Sequence, residues 1–373
     1  MDQVTARNLF EQGAMFILIG FPEGSEFGID YNSWNVGPNF KGVKMIPPGL
    51  HFIYYSSFSS NDQLGLGPRS GFFCNFLPKE VIVRKWNAKT EDIDLVPEDE
   101  QQKYKSNKEE LDKFLGPYPY EKYKQWVSLT NLINIDIVNL LEPECGRIYS
   151  IALFESEAST TQSRKAAATS MAEVNMDLET TQRSKKVMLP KLKKVQGTKI
   201  RYSSVPKKKF PDGSTPAEIS KYNMDSTYAL NLLLAERFDH NIGKLLGEVQ
   251  FAFICFLIGQ NYDSFEQWKK LVYLLCTSGD AAIQHPDVYL DFITILHFQI
   301  REIPSEFFVD IVTRNNFLTL TLHELFQNLL SDNIDSKLKQ KSISFQKHLT
   351  EKFKWDFSTE PDDYAPVVVD DKQ

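Results

Sequence analysis

The sequence predicts an α+β protein of two domains: an N-terminal β-rich, sandwich-like domain with packed helices, then an all-α, helical-repeat-like C-terminal domain. Three observations predict it. Short runs of β-branched and aromatic residues crowd positions 14–86. The apolar period becomes helical after residue 98 and again after residue 215. Between these two helical stretches lies a segment poor in large apolar residues. At 373 residues the chain also exceeds what one hydrophobic core commonly organises. The expected divisions are an N-terminal domain at 1–154, a flexible basic linker at 155–209, a helical domain at 210–355 and an acidic tail at 356–373.

The strands come first. AMFILIG at 14–20, LHFIYYS at 50–56, GFFCNFL at 71–77 and VIVRKW at 81–86 have strand composition. Turn residues such as Pro22 and Gly24, Pro47-Pro48-Gly49, and Pro78 separate them. No helical pattern intervenes, which favours antiparallel packing over a doubly wound parallel sheet. Helical stretches then flank Gly116-Pro117-Tyr118-Pro119, and Trp126, Leu129, Leu132 and Ile133 recur at offsets of three and four, a face expected to lie on the sheet. From 155 to 209 Ser, Thr, Lys, Ala and Gln dominate, and a segment with so little to bury cannot offset its ordering entropy.

Order is expected to return at Thr215-Pro216-Ala217-Glu218, which has the form of a capping box with proline at the first helical position. Asp263-Ser264-Phe265-Glu266 repeats the cap signal, and Pro286 and Pro304 mark further starts. About five to seven helices are expected over 216–353 by ordinary helix lengths. Residues 249–258, apolar all round, suit a central buried helix. Beyond 355 the stretch STEPDDYAP stops any helix, and Val367, Val368 and Val369 follow as three β-branched residues able to add a strand to another protein's sheet edge.

Composition excludes several classes. With 42% hydrophobic and 24% charged residues the chain is globular. A ten-residue apolar run at 249–258 is half the length that a bilayer-spanning helix needs, about 20 residues, so no membrane role is expected. The N-terminus has an early Asp2, no basic region and no small-residue cleavage site, so no secretory signal is expected. The four widely spaced cysteines, Cys74, Cys145, Cys255 and Cys276, then point to reduced thiols, with neither disulfide nor zinc. A net charge of −7 disfavours wrapping nucleic acid as the main task. The charge is uneven, however: ten Lys or Arg and no acid lie in 185–209, and six acids and no base in 356–371. The basic stretch suits a solvated linker, an import signal or an RNA-contacting arm, and direct RNA binding stays open. Its Ser and Thr residues are accessible candidates for phosphorylation.

No chemical motif stands out. The six histidines form no HExxH, no cysteine pair has CxxC spacing, and there is no GxSxG elbow. Gly65, Gly67 and Gly71 miss both phosphate-binding patterns and suit a β-turn. Cys255 lies in an apolar helix, where burial makes a thiol inert. Asp30 and His51 are the best acid–base pair on offer, if the fold brings them within hydrogen-bond reach; the alternative is that Asp30 organises its own loop. No catalytic, metal or cofactor residue is assigned, and no small-molecule substrate is expected. Asp30, Tyr31 and Trp34 in one loop, and Lys44 in the next stretch, are candidate surface contacts, with packing at the sheet edge as the alternative.

Several long strings resemble one family, the AAR-two splicing factors. They are FGIDYNSWNVGPNFKGVKMIPPGLHFIYYSS at 27–57, LDKFLGPYPY at 111–120, FPDGSTPAEI at 210–219, GEVQFAFICFLIGQNYDSFEQWKKL at 247–271, EIPSEFFVDIV at 302–312 and KFKWDFSTEPDDYAPVVV at 352–369. The resemblance spans nearly the whole chain except about 155–200. It implies a β-rich domain followed by a helical, VHS-like one, a cytoplasmic and nuclear location, and no catalytic residues. It also implies an assembly chaperone's role in U5 snRNP maturation. Members bind the large U5 scaffold protein through its RNase H-like and Jab/MPN-like domains and delay helicase and RNA engagement. The tail strand at Val367, Val368 and Val369 would pair between those two domains, adding affinity through effective concentration. The competing readings are a helical peptide-binding adaptor acting through 216–353, and an enzyme dependent on Asp30 and His51.

Overall fold

The computed structural model describes residues 3–58, 66–156, 192–304 and 317–357. Helix α1 (Gln3–Gln12) leads into β1 (Ala14–Ile19), and the chain then alternates between two sheets. It forms β2 (Glu26–Ile29), β3 (Asn32–Asn35), β4 (Gly42–Ile46), β5 (Gly49–Ser56), β6 (Ser70–Phe76), β7 (Val81–Asn87) and β8 (Asp92–Leu95). Later come the short β9 (Gly116–Pro117) and β10 (Ile148–Tyr149), and the antiparallel pair β11 (Phe154–Ser156) and β12 (Leu192–Lys194). The first sheet has the order β8-β7-β1-β4-β9 and the second β10-β6-β5-β2-β3.

The two sheets stack through alternating side chains. Ile53 and Tyr55 of β5 and Phe72, Cys74 and Phe76 of β6 point at Phe16 and Leu18 of β1. Phe52, Tyr54 and Phe73, one register step away, point to the opposite face. Ile17 of β1 turns from the inter-sheet core toward Val83, Leu111 and Leu115, so the first sheet is covered on its outside by α2 (Glu98–Ser106), α3 (Lys108–Leu111) and the turn after it. The sandwich is as expected, but not wholly antiparallel: β1 pairs parallel with β7, and β4 with β9. Apart from the β7–β8 hairpin, strands that neighbour each other in the first sheet are separated in the chain by excursions through the second, so chain order does not set their direction. Gly28 on β2 is needed for the packing, because a Cβ there would stand 2.1 Å from the Tyr54 ring.

Helices α4 (Tyr123–Thr130) and α5 (Ile135–Leu141) present Trp126, Leu129, Ile137, Val138 and Leu141 as their buried face. That face serves two neighbours at once, since these residues share one apolar core with Phe52 and Tyr54 of the second sheet and with the C-terminal helices. Those helices are α6 (Pro216–Met224), α7 (Thr227–Arg237), α8 (Ile242–Leu257), α9 (Tyr262–Cys276), α10 (Gly279–Gln284), α11 (Pro286–Glu302), α12 (Phe317–Leu329) and α13 (Ser336–Phe353). There are eight among the described residues, more than expected, because the six-residue α10 is too short to show a period. Helix α8 is the central one, buried from Leu245 through Phe256. The Thr215 capping box forms, with Thr215 Oγ1 accepting from the Glu218 amide at 3.4 Å and Glu218 Oε2 accepting from the Thr215 amide at 2.7 Å. Helix α9 starts earlier than its Asp263 signal, on Asn261, whose side chain accepts from the Ser264 amide at 2.9 Å.

The expected linker needs a correction at its C-terminal end. Ile200 is buried, Tyr202 donates its hydroxyl to Ser264 Oγ at 2.7 Å, and the Ser203 amide and hydroxyl both donate to Glu248 Oε1 at 3.0 and 2.9 Å. A buried carboxylate on α8 thus fixes a segment whose composition alone argues for freedom. Residues 157–191, the segment after Pro304 and the tail with Val367, Val368 and Val369 lie outside the described residues.

Candidate functional site

Asp30 and His51 do meet. Asp30 opens the tight turn between β2 and β3 with φ +53°, a left-handed conformation that Asp tolerates better than most side chains. Its amide donates to the Phe52 carbonyl at 2.8 Å, and its Oδ1 accepts from the Phe52 amide at 2.9 Å. Oδ2 accepts from the Tyr118 hydroxyl at 2.6 Å and lies 2.6 Å from His51 Nδ1. His51 Nε2 lies 2.7 Å from the Pro47 carbonyl oxygen, so each ring nitrogen faces an oxygen. Burial, then the Asp30 charge, pushes the Tyr118 phenol far above its ordinary range, so it stays a donor.

Asp30 and His51 are each 1% exposed. With every polar atom engaged and no open face, the pair has no position for a substrate, and its role is to pin three strands and the Tyr118 turn together. Asp30 is therefore not a surface contact, and the alternative that it organises its own loop is the one found. The neighbouring candidates divide. Lys44 is half-buried, with Nζ 2.5 Å from Asp112 Oδ2 and donating to the Asp112 carbonyl at 3.0 Å. Tyr31 is half-buried, and its hydroxyl donates to Glu302 Oε2 at 3.0 Å, at the end of α11. Trp34 alone of the four is open to solvent, at 38% exposure on the edge strand β3.

The residues that bind the sheets to the helices were not visible in the sequence. Arg69 clamps Glu26 with two bonds of 2.8 and 2.9 Å, donates to the Ile258 carbonyl at 2.7 Å and covers the Tyr54 ring at 4.5 Å. Gln250 of α8 accepts from the Leu132 amide and donates to Asn131, both at 2.8 Å. Gln125 joins Tyr31 on Glu302 Oε2 at 2.6 Å. Gln250 and Glu302 fall within the family-like strings at 247–271 and 302–312, and Tyr31 is one of the candidate contacts, but nothing in the sequence marks any of them, or Arg69, as a joint between sheets and helices. Among the described residues no group of three or more His, Cys, Asp or Glu side chains is placed to hold a metal ion, and no helix is long and apolar enough to cross a membrane.

Comparison with known proteins agrees with the two-part build. The family description "AAR2 N-terminal domain" matches residues 12–143, and "AAR2 C-terminal repeat region" matches 202–358. A human protein named Protein AAR2 homolog is 44% identical over 372 residues, covering 99% of this chain and 97% of that one. The relative of that name in Caenorhabditis elegans is 38% identical over 94% of this chain and 96% of its own length. A protein of Saccharomyces cerevisiae named A1 cistron-splicing factor AAR2 is 22% identical over 84% of each chain. The matches take in the sheets, the helices and the Asp30, Tyr118 and Glu248 positions, and the chain belongs to the AAR2 family.

Proposed function

We propose that this protein is a non-enzymatic pre-mRNA splicing factor that acts as an assembly chaperone for the U5 snRNP. It binds the large U5 scaffold protein through that protein's RNase H-like and Jab/MPN-like domains, and it holds off helicase and RNA until the particle matures. It works in the cytoplasm and the nucleus. The observation that carries the reading is the likeness along nearly the full chain to AAR2 proteins, one of which is named a splicing factor. Two features support a binding rather than a catalytic role: the acid–base pair is sealed inside the sandwich, and Trp34 stands on an open sheet edge as an aromatic anchor.

In this reading Val367, Val368 and Val369 supply a strand to the scaffold, where main-chain hydrogen bonds give affinity and alternate side chains give fit. The test is co-purification of the tagged full-length chain and its Val368→Asp variant from one extract, with mass spectrometry of what each retains. The U5 scaffold should be enriched with the parent chain and depleted with the variant. Absence of the scaffold from both would end the reading, and retention of trafficking cargo instead would favour a peptide-binding adaptor.

A further inference from the structure

Helices α11 and α13 lie against each other, and one part of their contact carries a concentration of cationic and imidazole groups. The rings of His297 on α11 and His348 on α13 have centroids 4.7 Å apart. The other charges acting on His297 are Arg301 from its own helix and Lys352 and Lys341 from α13; with burial as the first cause, they hold the imidazole below its ordinary pKa. Lys341 donates to Thr294 Oγ1 at 2.5 Å, which is a neutral partner. His348 Nε2 is buried without a hydrogen-bond partner. Two carboxylates of these helices have other partners, Glu302 with Tyr31 and Gln125, and Glu351 with Lys347 at 3.8 Å. Like charges on one part of a surface repel, and an anion among them would relieve it.

The described chain ends in a series of ring contacts that leads to this cluster. Phe357 is buried against Phe326 at 5.0 Å, Phe326 meets Phe345 at 6.0 Å, and Phe345 meets His297 at 6.2 Å. Glu360, Asp362 and Asp363 follow within six residues, in a stretch with no basic residue. Six extended residues reach about 20 Å, and the part of α13 from Lys341 to Lys352 is about 17 Å long. We propose that His297, Arg301, Lys341, His348 and Lys352 form a docking site for the acidic segment 358–363 of the chain's own tail, occupied when no partner is bound. Docking holds Val367, Val368 and Val369 close to the helical domain until a competing partner takes the strand. The site stands independently of the splicing reading; only the identity of the competitor rests on it.

The experiment uses the full chain with 13C-labelled histidine and follows the His297 ring by NMR as pH is varied, the signal being assigned with His297→Gln. The comparison is the combined variant Glu360→Gln, Asp362→Asn, Asp363→Asn, which leaves every described core side chain in place. The His297 titration midpoint should fall by about 0.5 pH or more in the variant, as loss of a nearby opposite charge dictates, and about 0.5 M salt should lower it in the parent. An unchanged midpoint overturns the proposal, as does phosphate shifting the His297 signal equally in parent and variant, which would show the site open in both. A midpoint that depends on protein concentration would place the tail on a second copy and overturn docking within one chain. The splicing reading could fail its co-purification test with this result unaffected.

Discussion

The hydroxyl of Tyr31 donates to the carboxylate of Glu302 across 271 positions of sequence, at 3.0 Å, joining the turn of an N-terminal hairpin to the last turn of a C-terminal helix. Burial, followed by the charge of Glu302, keeps the phenol protonated far beyond its ordinary range. Tyr31→Phe keeps the ring packing and removes only the donor, leaving Gln125 as the remaining donor to Glu302. A loss of about 1.5–3 kcal/mol is expected for a hydrogen bond to a charged group, read as a lower denaturation midpoint with an unchanged slope against denaturant.

Asp30→Ala should be far more damaging. It strands the His51 ring, the Tyr118 hydroxyl and the Phe52 amide together, and removing one partner of a buried pair costs roughly 3–5 kcal/mol. The measurement is urea unfolding by fluorescence. A variant as stable as the parent would show that the pair is not structural and would reopen the enzyme hypothesis.

Glu248 gives a pH dependence with a definite sign. Burial raises its pKa above the usual glutamate value, against hydrogen bonds from Ser203 and Gln267 and the charge of Arg237, which pull it down. The native state therefore holds this proton to higher pH than the unfolded chain does. Its contribution to stability is full below the ordinary glutamate value and is lost as pH rises through the raised one. Glu248→Gln keeps an oxygen for Ser203 and Gln267 and removes the titration. Its stability relative to the parent should climb with pH across that window and level off above it, as measured by denaturation at a series of pH values.

The thiols should divide one against three. Cys145 is exposed, while Cys74, Cys255 and Cys276 are buried. Burial pushes the Cys74 thiol up to about 12 and the other two up as well, which withholds the reactive thiolate. A chromogenic disulfide reagent should titrate one thiol at once under native conditions and the remaining three only on unfolding.

The elements legible in the sequence were those whose cause is local. The strands at 14–20, 50–56, 71–77 and 81–86, the Thr215 cap and the buried helix through Phe251 and Phe253 each announce themselves by spacing or capping chemistry. β2 and β3 were missed because four residues on either side of an Asp-Tyr turn are too few to show alternation. The parallel pairing of β1 with β7 depends on where the chain returns, which no window contains. At the candidate site, sequence offers Asp30 and His51 as a pair only if the fold brings them together, and it could not tell a sealed pair from a catalytic one. That distinction comes from Tyr118 and Pro47, which close off the remaining polar atoms. Arg69 gave no signal, and Glu248 and Gln250 none beyond their place in a family-like string, since a polar residue that joins two parts of a fold looks in sequence like any surface residue.

The apolar core that Phe52 and Tyr54 share with Trp126, Val249 and Phe253 has a consequence for how a partner is engaged. Relative movement of two folded halves is the rule only where their contact is small and polar, and here the contact is continuous with the interior. A partner that gripped the sheet edge at Trp34 would meet the helices at a fixed distance and angle, so any adjustment would have to come from the partner's own domains. Under the proposed function, the folded body would work as a caliper set to one opening, accepting only what has already come to the right spacing.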